Sequence, residues 1–108
     1  MDINQRIQEL LDQHAIVVFM KGTPQFPQCG FSMRTTQALQ ACGAQYQHVD
    51  ILSQPEIRQH LPQFSQWPTF PQVFINGELV GGCDIVLDLY QRGELQKMVA
   101  ATQAKATH

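Results

Sequence analysis

Cys29 opens the run Cys29-Gly30-Phe31-Ser32, with serine where a Cys-x-x-Cys motif would carry its second thiol. The run lies where an apolar stretch, Ile16-Val17-Val18-Phe19-Met20, passes through a loop into a helical pattern. Paired redox cysteines sit at such strand–loop–helix junctions. Here one sulfur is left to act as a nucleophile or metal ligand, with no neighbour to close a disulfide. The free N–H groups and dipole of the following helix favour a thiolate, and Lys21 at the strand end adds positive charge. Ser32 lies one helical turn on. It either hydrogen-bonds the thiolate or is an ordinary first-turn residue, and it cannot attack a mixed disulfide.

The other two cysteines and the histidines read differently. Cys42 ends the same helix, about 20 Å along its axis from Cys29, and core packing is its expected role. Cys83 follows Gly81-Gly82 and precedes Asp84, at the opening of a later helix. Bare N–H groups at a helix start bind carboxylates, and Asp84 could equally cap that helix. His14, His48, His60 and His108 show no ligand spacing.

These groups need a scaffold. Ile3, Ile7, Leu10 and Leu11 recur at helical spacing, so residues 2–13 read as an amphipathic helix. Residues 15–20 form a strand covered on both faces. Gly22-Thr23-Pro24-Gln25-Phe26-Pro27-Gln28 is a loop, in which Phe26 either shields the sulfur or caps the core. A second helix spans 30–42 with Gly43 as its stop, and a second strand runs from Tyr46 to Asp50. A third helix, 54–65, has Pro55 in its first turn and Ser53 as candidate N-cap. Trp67-Pro68-Thr69-Phe70-Pro71 is extended. Val73-Phe74-Ile75 and Leu79-Val80 flank Asn76-Gly77, the favoured two-residue hairpin turn. Helices over 83–92 and 94–103 complete the chain, and the tail after Met98 reads as frayed helix or disorder. The order is that of an α/β, three-layer plan. One βαβ crossover followed by an antiparallel hairpin requires a four-stranded mixed sheet.

The chain has 108 residues, a net charge of −2 and 15% charged residues, and reads as one domain over 1–108 with a core over about 2–103. No basic patch points to nucleic acid, and no apolar run is long enough for a membrane helix. The N-terminus lacks the apolar core of a signal peptide. Three cysteines without regular spacing are no disulfide framework, so the cytoplasm is the expected compartment.

That element order, with the cysteine run after the first long strand, resembles the thioredoxin fold. Lys21-Gly22-Thr23-Pro24, Cys29-Gly30-Phe31-Ser32, Trp67-Pro68-Thr69-Phe70-Pro71 and Gly81-Gly82-Cys83-Asp84 together resemble the monothiol, CGFS-type glutaredoxins of the short single-domain bacterial type. Any one of the four strings arises by chance; all four in order are specific. The resemblance implies glutathione as a ligand. It makes Pro71 a cis-proline that frees the Phe70 backbone to pair with the cysteine moiety of glutathione. Lys21 and Arg58 would hold the glycine carboxylate, and the N–H groups of Cys83 and Asp84 the other carboxylate, with Asp84 accepting from the α-amino group. The loop from Gly22 to Gln28 would be longer than in dithiol relatives and could reposition glutathione and blunt its thiol exchange, so that any oxidoreductase activity would be weak.

An iron–sulfur cluster is commonly held by four thiolates, and one chain offers Cys29 alone. The resemblance implies a homodimer in which two Cys29 sulfurs and two glutathiones hold a [2Fe–2S] cluster for transfer to recipient proteins. It also implies a mixed complex with a BolA-type partner. The alternative is an enzyme, a glutathione-dependent oxidoreductase acting on glutathionylated proteins through a monothiol route. A Cys29–Cys83 disulfide under oxidation stays open.

Overall fold

In the computed structural model, residues 2–106 are described, with side chains to Thr102. The elements are α1 (Ile3–Gln13), β1 (Ile16–Met20), α2 (Gly30–Ala41), β2 (Gln47–Asp50), α3 (Pro55–Ser65), β3 (Gln72–Ile75), β4 (Glu78–Gly81), α4 (Cys83–Gln91) and α5 (Glu94–Ala106). The strands form one sheet in the order β2-β1-β3-β4. β1 pairs parallel with β2 and antiparallel with β3, and β3 pairs antiparallel with β4. This is the thioredoxin-like, mixed four-stranded plan that the element order implied.

β1 explains the layering. All five of its residues are buried, because alternate side chains leave opposite faces of a strand. Val17 and Phe19 join Ile7, Leu11, Ile57, Leu61 and Phe74 beneath α1 and α3. Ile16, Val18 and Met20 join Leu39, Val73, Ile75, Val86, Leu95 and Val99 beneath α2, α4 and α5. Phe19 and Phe74 meet edge to face, with ring centroids 5.6 Å apart, a geometry worth about 0.5–1.5 kcal/mol beyond burial.

Local signals set the element ends. Asp2 and Gln5 close a capping box on α1. Asn76 and Gly77 both have positive φ, 53° and 79°, as a type I′ hairpin turn requires. Ser53 does not cap α3. Its hydroxyl donates to the Asp50 carbonyl at 3.0 Å, and Gln54 occupies the cap position without a side-chain hydrogen bond. Nor does Asp84 cap α4, because Gly82 holds that position. α5 runs to Ala106, beyond the expected 103, with Val99 and Thr102 buried. His108 and the end of the tail lie outside the described residues. Among the described residues, no helix is long and apolar enough to cross a membrane.

Candidate functional site

The Lys21–Gln28 loop is built as a small hairpin. The Gln28 N–H donates to the Lys21 carbonyl at 2.9 Å, and Thr23 and Phe26 exchange backbone hydrogen bonds of 3.3 and 3.1 Å. Gly22 has φ of 91°, and a Cβ there would lie 2.5 Å from the Phe26 oxygen, so only glycine fits. Asp50 Oδ1 anchors the base, accepting from the N–H groups of Gly22 and Leu52, each at 2.9 Å. Phe26 is 75% exposed. It therefore does not cap the core, and it is not among the residues lining the cleft described next.

The loop delivers Cys29 to the N-cap position of α2, in extended backbone and partly exposed. The thiol closes no capping hydrogen bond, but its ionised form gains from the same surroundings. The Ser32 N–H holds the Cys29 thiol below its ordinary pKa, opposed by partial burial and helped by the Phe31 N–H, the Lys21 charge and the Ser32 hydroxyl. Ser32 itself is fully buried. Its Oγ accepts from the Lys21 N–H at 3.1 Å, leaving the hydroxyl proton to turn toward sulfur. Ser32 is thus a first-turn residue of α2 whose hydroxyl faces the thiol and also accepts from the Lys21 N–H just past β1.

Cys29 opens onto a cavity of about 640 Å³ lined also by Lys21, Phe31, Arg58, Pro62, Pro68, Thr69, Phe70 and Asp84. Five of the six expected site residues thus share one cleft: Lys21, Cys29, Arg58, Phe70 and Asp84. The sixth, Cys83, has its side chain buried and lines a smaller adjoining cavity with Trp67, Pro71 and Gly82. Its backbone N–H lies at the start of α4, the part of the residue that the resemblance invoked. Among the described residues, the side chains of Lys21, Arg58 and Asp84 make no hydrogen bond or ion pair. Two cations and one carboxylate therefore face the cleft uncommitted.

The Phe70–Pro71 bond is cis. The loop before it is held by Gln72, a residue that the sequence did not single out. Gln72 is fully buried, and its Nε2 donates to the Trp67 carbonyl at 2.9 Å and the Thr69 carbonyl at 3.1 Å. The Gln72 Oε1 is buried without a partner among the described residues, a cost of about 1–3 kcal/mol. The available signal was a lone polar residue opening the apolar run Val73-Phe74-Ile75. Phe31, Pro62, Pro68 and Thr69 have no role assigned from the sequence; Phe31, Pro68 and Thr69 lie inside the four motifs, and Pro62 reaches the cleft through the fold alone.

Cys29, Cys42 and Cys83 are free thiols. Cys42 packs against the core under α2, and partial burial pushes its thiol pKa up. No group of three or more His, Cys, Asp or Glu among the described residues is placed to hold a metal ion.

The glutaredoxin family pattern matches residues 16–80. Glutaredoxin 4 of Escherichia coli strain K12 is 52% identical over 101 residues, covering 94% of this chain and 88% of that protein. The solution structure of reduced poplar apo GrxS14 superposes with a TM-score of 0.82 at 43% identity, covering 94% of both chains. A buckwheat glutaredoxin–glutathione complex gives a TM-score of 0.79 at 31% identity, covering 91% of this chain and 87% of that one. With one thiol in its Cys29-to-Ser32 motif, the chain belongs to the glutaredoxin family, as a member of its monothiol type.

Proposed function

We propose that the cleft binds glutathione and that the chain carries a glutathione-ligated [2Fe–2S] cluster, as cargo, in a homodimer that passes it to recipient proteins. One observation carries the first half: a thiol, two unpaired cations and one unpaired carboxylate converge on a single cleft. Glutathione offers the complement, a central sulfur with two carboxylates and one ammonium. Lys21 and Arg58 would take the glycine carboxylate. The start of α4, at Cys83 and Asp84, would take the other carboxylate, and the Asp84 side chain the ammonium. Likeness to the buckwheat glutaredoxin–glutathione complex supports the same ligand.

The donor set supports the second half. Each chain brings one thiolate-prone sulfur to the cleft, whereas a cluster commonly needs four thiolates. Two Cys29 sulfurs and two glutathiones make four. Half of the ligation is then non-protein, which suits release to recipients better than permanent storage. In a mixed complex a ligand from a BolA-type protein would replace part of the second half-site, and the cytoplasm is the matching compartment.

The lowered pKa of Cys29 favours a second activity at the same site. Its thiolate would attack the glutathione sulfur of a glutathionylated protein and release the protein thiol. A second glutathione would then attack the Cys29 mixed disulfide, freeing Cys29 and leaving as glutathione disulfide. Ser32 cannot perform that second step.

Anaerobic reconstitution with iron, sulfide and glutathione tests the carrier. The expected product is a coloured dimer with about two glutathiones and one [2Fe–2S] unit, from the four-thiolate count. Visible absorption and native mass read it. Full cluster assembly without glutathione or any added thiol would overturn this ligand set.

A further inference from the structure

We infer that Gln72 is a positioning residue for glutathione, holding the Phe70 backbone in the orientation that receives the ligand. The inference rests on the glutathione reading above and adds a residue to it. Gln72 opens β3, its backbone in register with Phe19 of β1, so its side chain springs from the rigid sheet. The carboxamide reaches back to the Trp67 and Thr69 carbonyls, at 2.9 and 3.1 Å.

The chemistry of that contact is restrictive. Two carbonyl oxygens converge on one buried point and both need a donor. A neutral –NH₂ supplies two N–H bonds from one atom, whereas a carboxylate supplies none and an ammonium would bury a charge. The carboxamide orientation is therefore fixed, and Oε1 is the atom left without a partner.

The second contact bears on the ligand. The Thr69 carbonyl and the Phe70 N–H belong to one planar trans peptide, so they point in opposite directions. Drawing the carbonyl toward Gln72 turns the Phe70 N–H away from it. That N–H has no partner among the described residues, and Thr69 and Phe70 both line the cleft with Cys29. An unpaired backbone donor in the same cleft as the thiol is a pre-organised contact for a peptide ligand bound through sulfur. Without Gln72 the peptide could rotate, and the contact would have to be ordered on binding.

The test uses the full chain, the near-isosteric Gln72→Met, and Gln72→Asn, which keeps the carboxamide one methylene short of the loop. Two disulfides serve as probes: glutathione disulfide and bis(2-hydroxyethyl) disulfide. In each reaction the Cys29 thiolate attacks one sulfur, forms the mixed disulfide and releases the other half as thiolate. Mass spectrometry gives both equilibrium constants. The wild type should favour the glutathione adduct. Each variant should lose that preference by about three- to tenfold, the range one weakened backbone hydrogen bond allows. The hydroxyethyl constant should stay within about twofold, because that probe is too small to use the loop. A preference retained in both variants overturns the role of Gln72 alone. An equal fall with both probes also overturns it, since Gln72 would then act on Cys29. Unfolding of both variants by circular dichroism assigns Gln72 to structure only. A wild type with no preference overturns the glutathione reading itself.

Discussion

At the residue scale the site turns on how one sulfur is held. The groups that lower the Cys29 pKa are mostly backbone N–H groups of the first turn of α2, with Lys21 and the Ser32 hydroxyl adding to them. Cys42, at the other end of the same helix, is shifted the other way by burial. A lowered thiol pKa means more thiolate at a given pH, and the thiolate is what alkylates. On raising the pH in iodoacetamide, Cys29 should therefore react before Cys42, as read by peptide mass spectrometry. The reverse order would contradict the site. Ser32→Ala removes the acceptor of the Lys21 N–H and one donor to sulfur. It should cost about 1 kcal/mol of stability and move the Cys29 alkylation profile to higher pH. Cys29→Ser, at a partly exposed position, should abolish mixed-disulfide formation with the fold unchanged by circular dichroism.

At the scale of elements, the loop and the helix starts decide what the site can be. The Lys21–Gln28 hairpin rests on Gly22, whose positive φ and close approach to the Phe26 oxygen leave no room for a Cβ. Gly93 also has positive φ, 75°, but a Cβ there meets nothing within 4 Å. Gly93→Ala should therefore cost about 1 kcal/mol for backbone strain alone. Gly22→Ala should cost several-fold more or unfold the hairpin, and thermal melts of the two variants separate the cases. Equal melting points would mean that the hairpin contributes nothing. Such elements were largely legible in advance. Periodicity marked α1, glycines and Pro55 marked the ends of later helices, Asn76-Gly77 announced its hairpin, and the Gly43 stop has φ of 71°. Caps were less legible. Ser53 looked like the N-cap of α3, yet a competing carbonyl, that of Asp50, takes its hydroxyl. The motif residues of the cleft were readable because chemistry restricts their types. Gln72 was not, because its partners are backbone carbonyls with no side-chain signature.

At the scale of the whole molecule, the cleft stands at the end of the sheet where both layers meet. Cys29 and Asp84 come from the α2 and α4 side, Arg58 and Pro62 from α3 on the opposite side, and Thr69 and Phe70 from the strap between α3 and β3. Neither layer builds the cleft alone, and the sheet joining them is buried on both faces of β1. The cleft should therefore not melt separately from the fold. Trp67, the sole tryptophan, gives an internal probe, because its carbonyl is gripped by Gln72 and its indole lies against Gly82 at the start of α4. Small domains unfold in one cooperative step when their parts share a core. Tryptophan fluorescence, reporting the strap, and far-ultraviolet circular dichroism, reporting the helices, should give one coincident urea transition. Leu61→Ala, in the core under α3, should lower both curves together by about 2–5 kcal/mol. Leu95→Ala, in the core on the other face of the sheet, should do the same. A fluorescence transition that precedes the circular dichroism would mean that the strap opens while the layers hold. Gln72 would then be gripping a segment with its own stability, and glutathione would have to close the cleft rather than find it formed.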